Sequence, residues 1–347
     1  SKKITKYLDL GNQPLANSFL TKKQISKEKK YPLQLLLCKN CSLSQLSIVV
    51  NPKIIFNKYD YLSSSSKALK NHYANLVSNI ENKYINSKKT TVLDIGCNDG
   101  ILLKNYSKKV KSIVGIEPSN AYLKIKDKKI NIINQFFNFN TAKLYLKKFD
   151  KAKIITITNV IAHIDNINDV IKNIKIILDK NGILIIEFPY VMDMLKKGTF
   201  DIVYHEHLSY LGVTSVNHLL LKNNLKAIDI KKINFGASGP SLRIFATHNN
   251  NKIKVKNNVK KFLNYERRFK IKDLNNYIKF KNIVKNKIAN LKKKLIKNNK
   301  KNIQLACYTA PAKGNTLLNA LNLENKIFSF ITENNSRKIN KYTPGTH

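Results

Sequence analysis

The chain has 347 residues, of which 43% are hydrophobic, and this is enough for two or three packed domains. It contains no run of about eighteen apolar residues, and its N-terminus, which begins Ser1-Lys-Lys-Ile, lacks the apolar segment of a signal peptide. We therefore expect no membrane partner. Because four cysteines are too few for a disulfide framework, the sequence predicts a cytoplasmic protein.

A formal net charge of +42 makes nucleic-acid binding one hypothesis. The lysines are spread along the whole chain, however. Arginine, on which base and bidentate phosphate recognition mostly depend, occurs only at Arg243, Arg267, Arg268 and Arg337. We expect loose attraction to polyanions but no specific nucleic-acid partner.

Residues 1–65 are predicted to form a first domain, in which a strand runs into Cys38-Lys-Asn-Cys41. Two cysteines at this spacing supply half of a tetrahedral zinc site. No second pair is visible, so zinc binding and two free thiols both remain open. Tyr59 and Tyr61, which precede four serines, either line a polar pocket or pack as aromatic side chains with wet hydroxyls.

Residues 66–235 alternate between β-favouring and helical patterns, which predicts an α/β fold with a doubly wound, largely parallel, Rossmann-like sheet. The predicted strands are 91–95, 112–117, 130–134, 153–158, 182–188 and 226–233. The predicted helices are 67–85, 100–106, 119–126, 140–147, 166–178 and 214–223. In such sheets, ligands bind beyond the carboxyl ends of the strands.

The stretch Thr91-Val-Leu-Asp-Ile-Gly-Cys-Asn-Asp-Gly100 reads as a strand, a glycine-bearing turn and an apolar helix start. This is the opening unit of a nucleotide-binding domain, since a residue without Cβ lets a ligand lie against the backbone. About twenty residues further on, a second strand ends at Glu117-Pro118. The carboxylate can accept hydrogen bonds from both hydroxyls of a ribose, so we expect a cofactor that lies across the two strand ends.

Asn98 discriminates between two kinds of cofactor. The dinucleotide fingerprint G-x-G-x-x-G has glycine at this position, so its absence argues against an NAD-dependent oxidoreductase. The pattern D-x-G-x-N-x-G, formed by Asp94, Gly96, Asn98 and Gly100, resembles instead the first motif of S-adenosylmethionine-dependent methyltransferases. A βαβ turn without a ligand is the remaining alternative.

Two further stretches carry candidate catalytic residues. Asn159 and His163 follow a predicted strand and so reach the ligand side of the sheet, although a partly buried structural histidine explains His163 equally well. The run Tyr204-His-Glu-His207 places a glutamate between two histidines, and a histidine held by a carboxylate is the usual construction of a general base. A surface loop is the alternative for this run.

Residues 236–347 are predicted to form a third, α/β domain. A lysine-rich helical stretch spans 255–299, and a strand over 303–308 leads through small residues into an apolar helix, whose N-terminus favours an anion. After a final strand over 327–331 the sequence stops without a closing element, so we expect this domain to be incomplete.

Together these motifs resemble the three-domain S-adenosylmethionine-dependent C-methyltransferases that act on nucleotide-linked deoxysugars. The likeness runs nearly end to end and is carried by the order of L-G-N-Q-P-L-A-N-S-F at 10–19, C-x-x-C at 38–41, Y-x-Y-x-S-S at 59–64, L-D-I-G-C-N-D-G at 93–100, G-I-E-P-S at 115–119, N-V-I-A-H-I at 159–164, Y-H-E-H-x-S-Y at 204–210 and A-P-A-K-G-N-T-L-L-N at 310–319. The resemblance implies a zinc-ribbon-like N-terminal domain with four cysteines, a class I methyltransferase core and a C-terminal domain that helps to hold the nucleotide-sugar. Because only Cys38 and Cys41 are present as zinc ligands, we expect the N-terminal domain to be incomplete as well.

The resemblance also implies a mechanism, in which a base removes a proton next to a ketone of the sugar and the resulting enolate carbon attacks the sulfonium methyl group in line. The residues expected to act on the sugar are His207 as the base, Glu206 to orient it, Tyr204, Tyr59 and Tyr61 to position the sugar, and His163 to assist proton movement. The residues expected to surround the cofactor are Asp94, Gly96, Asn98, Gly100, Glu117, Pro118 and Asn159.

Overall fold

The computed structural model describes residues 3–56, 61–87, 89–236, 239–300, 303–323 and 327–347. Its strands are β1 (Ile4–Pro14), β2 (Lys30–Cys38), β3 (Ser44–Leu46), β4 (Thr90–Ile95), β5 (Val110–Ile116), β6 (Ile130–Ile133), β7 (Ala152–Thr158), β8 (Leu178–Pro189), β9 (Ser209–Tyr210), β10 (Leu225–Ile233), β11 (Ser241–His248), β12 (Leu305–Tyr308) and β13 (Phe328–Thr332). Its α-helices are α1 (Pro52–Phe56), α2 (Lys67–Tyr84), α3 (Phe139–Lys148), α4 (Ile167–Ile177), α5 (Val191–Lys197), α6 (Val213–Lys222), α7 (Asn257–Arg268), α8 (Leu274–Lys300) and α9 (Ala312–Leu321).

These elements form two compact units. The terminal unit comprises Ser1–Val50, Val191–Tyr210 and Phe269–His347, and the core unit comprises Asn51–Tyr190 and Leu211–Arg268. The units are not continuous in sequence, and the three domains expected over 1–65, 66–235 and 236–347 stay a prediction. β11 pairs with β8 and so belongs to the core sheet, whereas β9 pairs with β3 and so joins the N-terminal strands.

The core unit contains a seven-stranded sheet in the order β10-β11-β8-β7-β4-β5-β6. The five strands from β8 to β6 are parallel to their neighbours, and β11 lies antiparallel between β8 and β10. Helices in the connections between the parallel strands give the alternation that defines a doubly wound sheet. The predicted α/β fold is therefore confirmed.

The central strands of this sheet form because their sequences are rich in β-branched residues that are buried on both faces. Every residue of β4 is buried, and so are all but one residue of β7. Strands covered on both faces need such runs rather than alternation. α2 covers the sheet with a stripe of buried residues that recur at helical spacing, which are Leu69, Tyr73, Leu76, Val77 and Ile80. The packing of α2 on the sheet holds the parallel strands in place, so that their carboxyl ends lie along one edge.

Two of the predicted helices are not α-helices. The segment after Gly100 contains only a 3-10 helix at Leu103–Asn105, and the segment after β5 only a 3-10 helix at Asn120–Lys124. Ile101, Leu102 and Leu103 are all fully buried. Three consecutive buried residues do not lie on one face of an amphipathic helix, so a tight irregular turn suits them better.

The terminal unit contains an antiparallel sheet in the order β1-β2-β3-β9 and a parallel pair, β12 and β13, which α9 connects. α8 packs on β1 through Tyr7, whose ring centroid lies 4.8 Å from that of Tyr277 and 6.4 Å from that of Phe280. The strand, helix and strand predicted near the C-terminus are confirmed. Within the described ranges, no helix has the length and apolar character needed to cross a bilayer.

Candidate active site

The turn after β4 contains two glycines in the left-handed region, Gly96 with φ 73° and Gly100 with φ 72°. A Cβ on Gly96 would lie 2.5 Å from Cγ2 of Val160, so a side chain at this position would displace its neighbour. The N–H groups of Gly96 and Cys97 both donate to the carbonyl oxygen of Ile116, at 2.8 and 3.1 Å. The turn is therefore tied to the end of β5.

Glu117, the residue directly after β5, is buried beside this turn. Its Oε2 accepts a hydrogen bond from the N–H of Asn98 at 2.9 Å, and its Oε1 accepts one from the N–H of Ser119 at 2.8 Å. Pro118, which stands between Glu117 and Ser119 in the sequence, is half-buried. Because a carboxylate has about four acceptor positions, these two bonds fix its orientation and leave capacity for two ribose hydroxyls. Glu117 therefore offers free acceptor positions beside the glycine turn.

Asn98 has a further role that was not expected from the sequence. It has φ 50°, its side-chain Oδ1 accepts from the N–H of Ser63 at 2.9 Å, and its Nδ2 donates to the carbonyl oxygen of Tyr61 at 3.1 Å. Asp99 adds a third bond by accepting from the N–H of Ser64 at 3.1 Å. The Asn98 side chain therefore holds the segment before α2 against the glycine turn. Tyr59 lies outside the described residues.

Asp94 lies near the end of β4 and is almost completely buried. Thr156 Oγ1 donates to its Oδ1 at 2.6 Å. Burial raises the pKa of Asp94 to about 7, with the nearby negative charge of Glu117 adding to the effect and the Thr156 hydrogen bond opposing it. A cationic ligand at this place would favour the ionised carboxylate.

The loop after β7 brings Asn159 and His163 to the same edge of the sheet. Asn159 has φ 57°, and its N–H donates to the carbonyl oxygen of Glu187 at 2.8 Å. His163 is half-buried at the end of the 3-10 helix Ile161–His163. The hydroxyl oxygen of Tyr73, a residue that we did not identify from the sequence, lies 3.3 Å from Thr158 Oγ1. The turn, Glu117 and this loop therefore share the ligand-binding edge expected for a doubly wound sheet.

In the terminal unit, His207 and Tyr204 form a buried pair. Nε2 of His207 lies 2.9 Å from the Tyr204 hydroxyl, and Nδ1 lies 2.8 Å from the carbonyl oxygen of Ile202. Because a carbonyl only accepts, Nδ1 carries a proton, and in the neutral ring Nε2 is the acceptor for the Tyr204 hydroxyl. The backbone thereby fixes the tautomer that presents Nε2 as the basic nitrogen.

Glu206 differs from the arrangement expected from the sequence. Its Oε1 accepts from Nδ2 of Asn17 at 2.7 Å, while the two ring nitrogens of His207 engage Ile202 and Tyr204. The carbonyl oxygen of Ile202 therefore orients the imidazole in place of Glu206. Burial raises the pKa of Glu206 to about 7, which the hydrogen bond from Asn17 opposes.

Cys38 and Cys41 lie close together at the end of β2. Burial, together with the neighbouring Cys38 thiol, raises the pKa of Cys41. In the part of the chain that the structure describes, no cluster of three or more histidine, cysteine, aspartate or glutamate side chains could hold a metal ion. Two thiols are half of the donor set of a structural zinc site, so these residues do not fit a bound zinc ion.

Sequence models of three protein families match consecutive parts of the chain. A model named for zinc binding matches residues 1–56, a methyltransferase domain matches 67–230, and a C-methyltransferase C-terminal domain matches 236–347.

Among individual proteins, the chain is similar to C-methyltransferase NovU of Streptomyces niveus, with 25% identity over 344 residues that cover 98% of this chain and 81% of that protein. It is also similar to the ubiquinone biosynthesis O-methyltransferase of Histophilus somni, with 28% identity over 136 residues, which are 32% of this chain and 56% of that protein.

Solved structures with a similar core include the mitomycin 7-O-methyltransferase MmcR, at 14% identity and a TM-score of 0.40 over 53% of this chain and 55% of that chain. Another is the magnesium protoporphyrin IX methyltransferase ChlM from Synechocystis PCC 6803 with bound SAH, at 14% identity and a TM-score of 0.40 over 52% of this chain and 83% of that chain.

The order of the three matched domains and the end-to-end match to a C-methyltransferase agree with the sequence motifs. The chain belongs to the three-domain S-adenosylmethionine-dependent C-methyltransferases.

Proposed function

We propose that this enzyme methylates a carbon atom of a nucleotide-linked keto-deoxysugar after His207 has removed a proton from that carbon. The observation that carries the proposal is the hydrogen bonding of His207, because the Ile202 carbonyl holds the proton on Nδ1 and leaves Nε2 of the neutral ring as the nitrogen that can take a proton. A carbon next to a ketone is acidic enough for an imidazole to act on, whereas an isolated carbon is not. This chemistry accounts for a buried base in a C-methyltransferase.

The residues of the core unit would hold the cofactor, which supplies an electrophilic methyl group when bound. Glu117 would accept from the ribose hydroxyls, and the turn from Gly96 to Gly100 would lie against the methionine end. Asp94 would place negative charge near the sulfonium, while Asn159 and Pro118 would border the pocket. Asn98 would act through its backbone and through the segment that its side chain holds.

The residues of the terminal unit would handle the proton. Tyr204 keeps Nε2 of His207 directed by donating to it and can transfer this hydrogen bond to the enolate oxygen. Glu206, bound to Asn17, would hold a sugar hydroxyl. Tyr61 and His163 remain proposed substrate contacts on the grounds of family likeness.

The test is calorimetric titration with S-adenosylmethionine, followed by transfer of a labelled methyl group to nucleoside-diphosphate-linked keto-deoxysugars that differ in carrier nucleotide. In His207→Asn the amide can still donate to the Ile202 carbonyl, but nothing replaces Nε2. We expect turnover to fall by roughly 10²–10⁴-fold, the usual contribution of a general base, with cofactor affinity within about twofold of wild type.

His218→Asn, at an exposed position on α6, is the matched control and should leave both quantities unchanged. Normal turnover by His207→Asn would remove this residue from the mechanism.

A further inference from the structure

A buried ionic cluster in the core unit joins three elements at the ligand-binding edge of the sheet. Glu187 near the end of β8 is fully buried, and its Oε1 lies 2.7 Å from Nε2 of His72 on α2. Its Oε2 lies 2.7 Å from both Nε and Nη2 of Arg243, which stands opposite Glu187 in the register of β11 and β8. Nη2 of Arg243 is also 3.1 Å from Nε2 of His72.

The charges in this cluster determine where the proton of His72 lies. Burial alone would raise the pKa of Glu187, but the hydrogen bond from His72 and the Arg243 guanidinium outweigh it and hold the pKa below its ordinary value. The carboxylate is therefore ionised. At 2.7 Å from an ionised oxygen, Nε2 of His72 must carry a proton and donate it.

The ring makes its hydrogen bonds through Nε2, and Nδ1 has no hydrogen-bond partner among the residues that the structure describes. The His72 side chain retains 11% exposure, whereas that of Glu187 retains 1%. The ring faces are flanked by Tyr73 and Phe235, each with its ring centroid 5.4 Å from that of His72. In the neutral ring, Nδ1 presents a lone pair that is held in one direction.

Stability alone does not require this arrangement. Well-packed apolar residues are often as stable as a buried ion pair, since desolvation offsets much of the attraction between the charges. A carboxylate that fixes the tautomer of a histidine and leaves its second nitrogen open is, in contrast, the construction found where an imidazole meets a ligand.

The strand order relates this cluster to the cofactor pocket. The ribose is assigned to Glu117 after β5, and the methionine end to the turn after β4, so the acceptor must approach from the other side, where β7 and β8 end. Neighbouring strands lie about 4.8 Å apart, which puts the end of β8 roughly 10 Å from that of β4. The Asn159 N–H bond to the Glu187 carbonyl ties the cluster to the pocket loop.

We propose that His72 is an acceptor-binding residue, whose Nδ1 accepts a hydrogen bond from a hydroxyl of the methyl acceptor and whose orientation is fixed by Glu187 and Arg243. This rests on the proposed function insofar as the acceptor is a hydroxylated sugar. With His72 in this role, the core unit itself selects an acceptor that carries a hydroxyl group.

Two variants separate this role from a structural one. In His72→Gln the amide reaches the position of Nε2 and can still donate to Glu187, but nothing replaces Nδ1. In His72→Asn the amide occupies the position of Nδ1, and the bond to Glu187 is lost. With the sugar that wild type methylates, we expect His72→Gln to raise KM for the acceptor about threefold to tenfold, the value of one neutral hydrogen bond, with kcat, thermal midpoint and S-adenosylmethionine affinity little changed.

His72→Asn should retain a lower acceptor KM than His72→Gln but unfold at a lower temperature. The reverse order, with wild-type KM in His72→Gln, would show that His72 serves only to hold Glu187 and would overturn the proposal.

Chemical labelling gives an answer that does not depend on the identity of the acceptor. Diethyl pyrocarbonate is applied to the enzyme saturated with S-adenosylmethionine, and modified histidines are located by mass spectrometry, with exposed His218 as the internal reference. We expect His72 to be modified and to be protected by the acceptor. A His72 that the reagent does not reach overturns the proposal, whereas labelled His72 without transfer to any nucleotide-linked sugar overturns only the proposed function.

Discussion

The carboxylate of Glu117 accepts from two backbone N–H groups, so its orientation is set before any ligand arrives. If it also holds the ribose, Glu117→Gln removes the charge and turns one acceptor oxygen into a donor. Hydrogen bonds to charged groups are worth about 1.5–3 kcal/mol, so we expect S-adenosylmethionine affinity to fall roughly ten- to a hundredfold, measured by calorimetry.

Asp150→Asn is the control for this variant, because Asp150 forms an exposed ion pair with Lys111 and should not influence cofactor affinity. Equal affinity in Glu117→Gln and wild type would place the ribose elsewhere.

Asp94 makes the stability of the cofactor-free enzyme depend on pH. Its pKa is raised from the ordinary 3.8 to about 7, so between these values the folded state binds more protons than the unfolded state. The free energy of unfolding therefore falls as pH rises through this window, and the full cost is present above pH 7.

Asp94→Asn removes this titration and keeps an oxygen that accepts from Thr156. We expect denaturant unfolding of wild type and variant to differ little near pH 4 and the variant to be more stable near pH 8, by on the order of a few kcal/mol. Glu206 contributes a similar pH dependence to both proteins and so cancels. A difference that does not change with pH would contradict the assignment.

At the scale of elements, Asn98 links the segment before α2 to the turn after β4. Asn98→Gly suits φ 50° and removes only the two side-chain bonds to Tyr61 and Ser63. We expect a loss of about 1–3 kcal/mol in stability and faster hydrogen exchange of the amides from residue 61 to the first turn of α2.

Asn224→Gly is a matched control, since Asn224 has φ 56° but is exposed. Exchange that is equally fast in both variants would show that the backbone change, rather than the lost bonds, matters.

The elements of the core could be predicted because their signals are local. β4 and β7 are short runs rich in β-branched residues, and α2 carries an apolar stripe at helical spacing, so the chain itself shows where they lie. The connections after Gly100 and after β5 were predicted wrongly as α-helices. After Gly100, apolar content does not distinguish a helix from a buried tight turn, and over 119–126, after β5, only Ser119 and Ala121 are buried, so little packing holds a helix there.

The hydrogen-bonded pairs within the site could not be predicted from the sequence for a different reason. Asn17 and Glu206 are 189 residues apart, and His72 and Glu187 are 115 apart. The residue types beside His207 suggested that Glu206 would orient it, but a backbone carbonyl does so, and a carbonyl leaves no trace in the side-chain pattern. Spacing therefore does not show which polar residues meet.

At the scale of the whole molecule, the acidic residues are few and several lie inside. Of 21 aspartates and glutamates, six are buried in the described part of the chain, which are Asp94, Glu117, Glu187, Glu206, Asp229 and Glu266. The surface is accordingly even more positive than the net charge of +42 suggests.

Such a surface should attract any polyanion and bind nucleic acids regardless of their base sequence. Lysine acts as a point charge, and phosphate contacts by lysine release counterions, so affinity falls steeply as salt rises. We expect fluorescence anisotropy with labelled oligonucleotides at 50 mM salt to give dissociation constants that differ less than about threefold between sequences, with binding lost near roughly 0.5 M salt. Heparin should compete equally well, because it offers charge without bases. An oligonucleotide bound about a hundredfold more tightly than the others, and retained at high salt, would instead require base contacts that the four arginines of this chain are poorly suited to make.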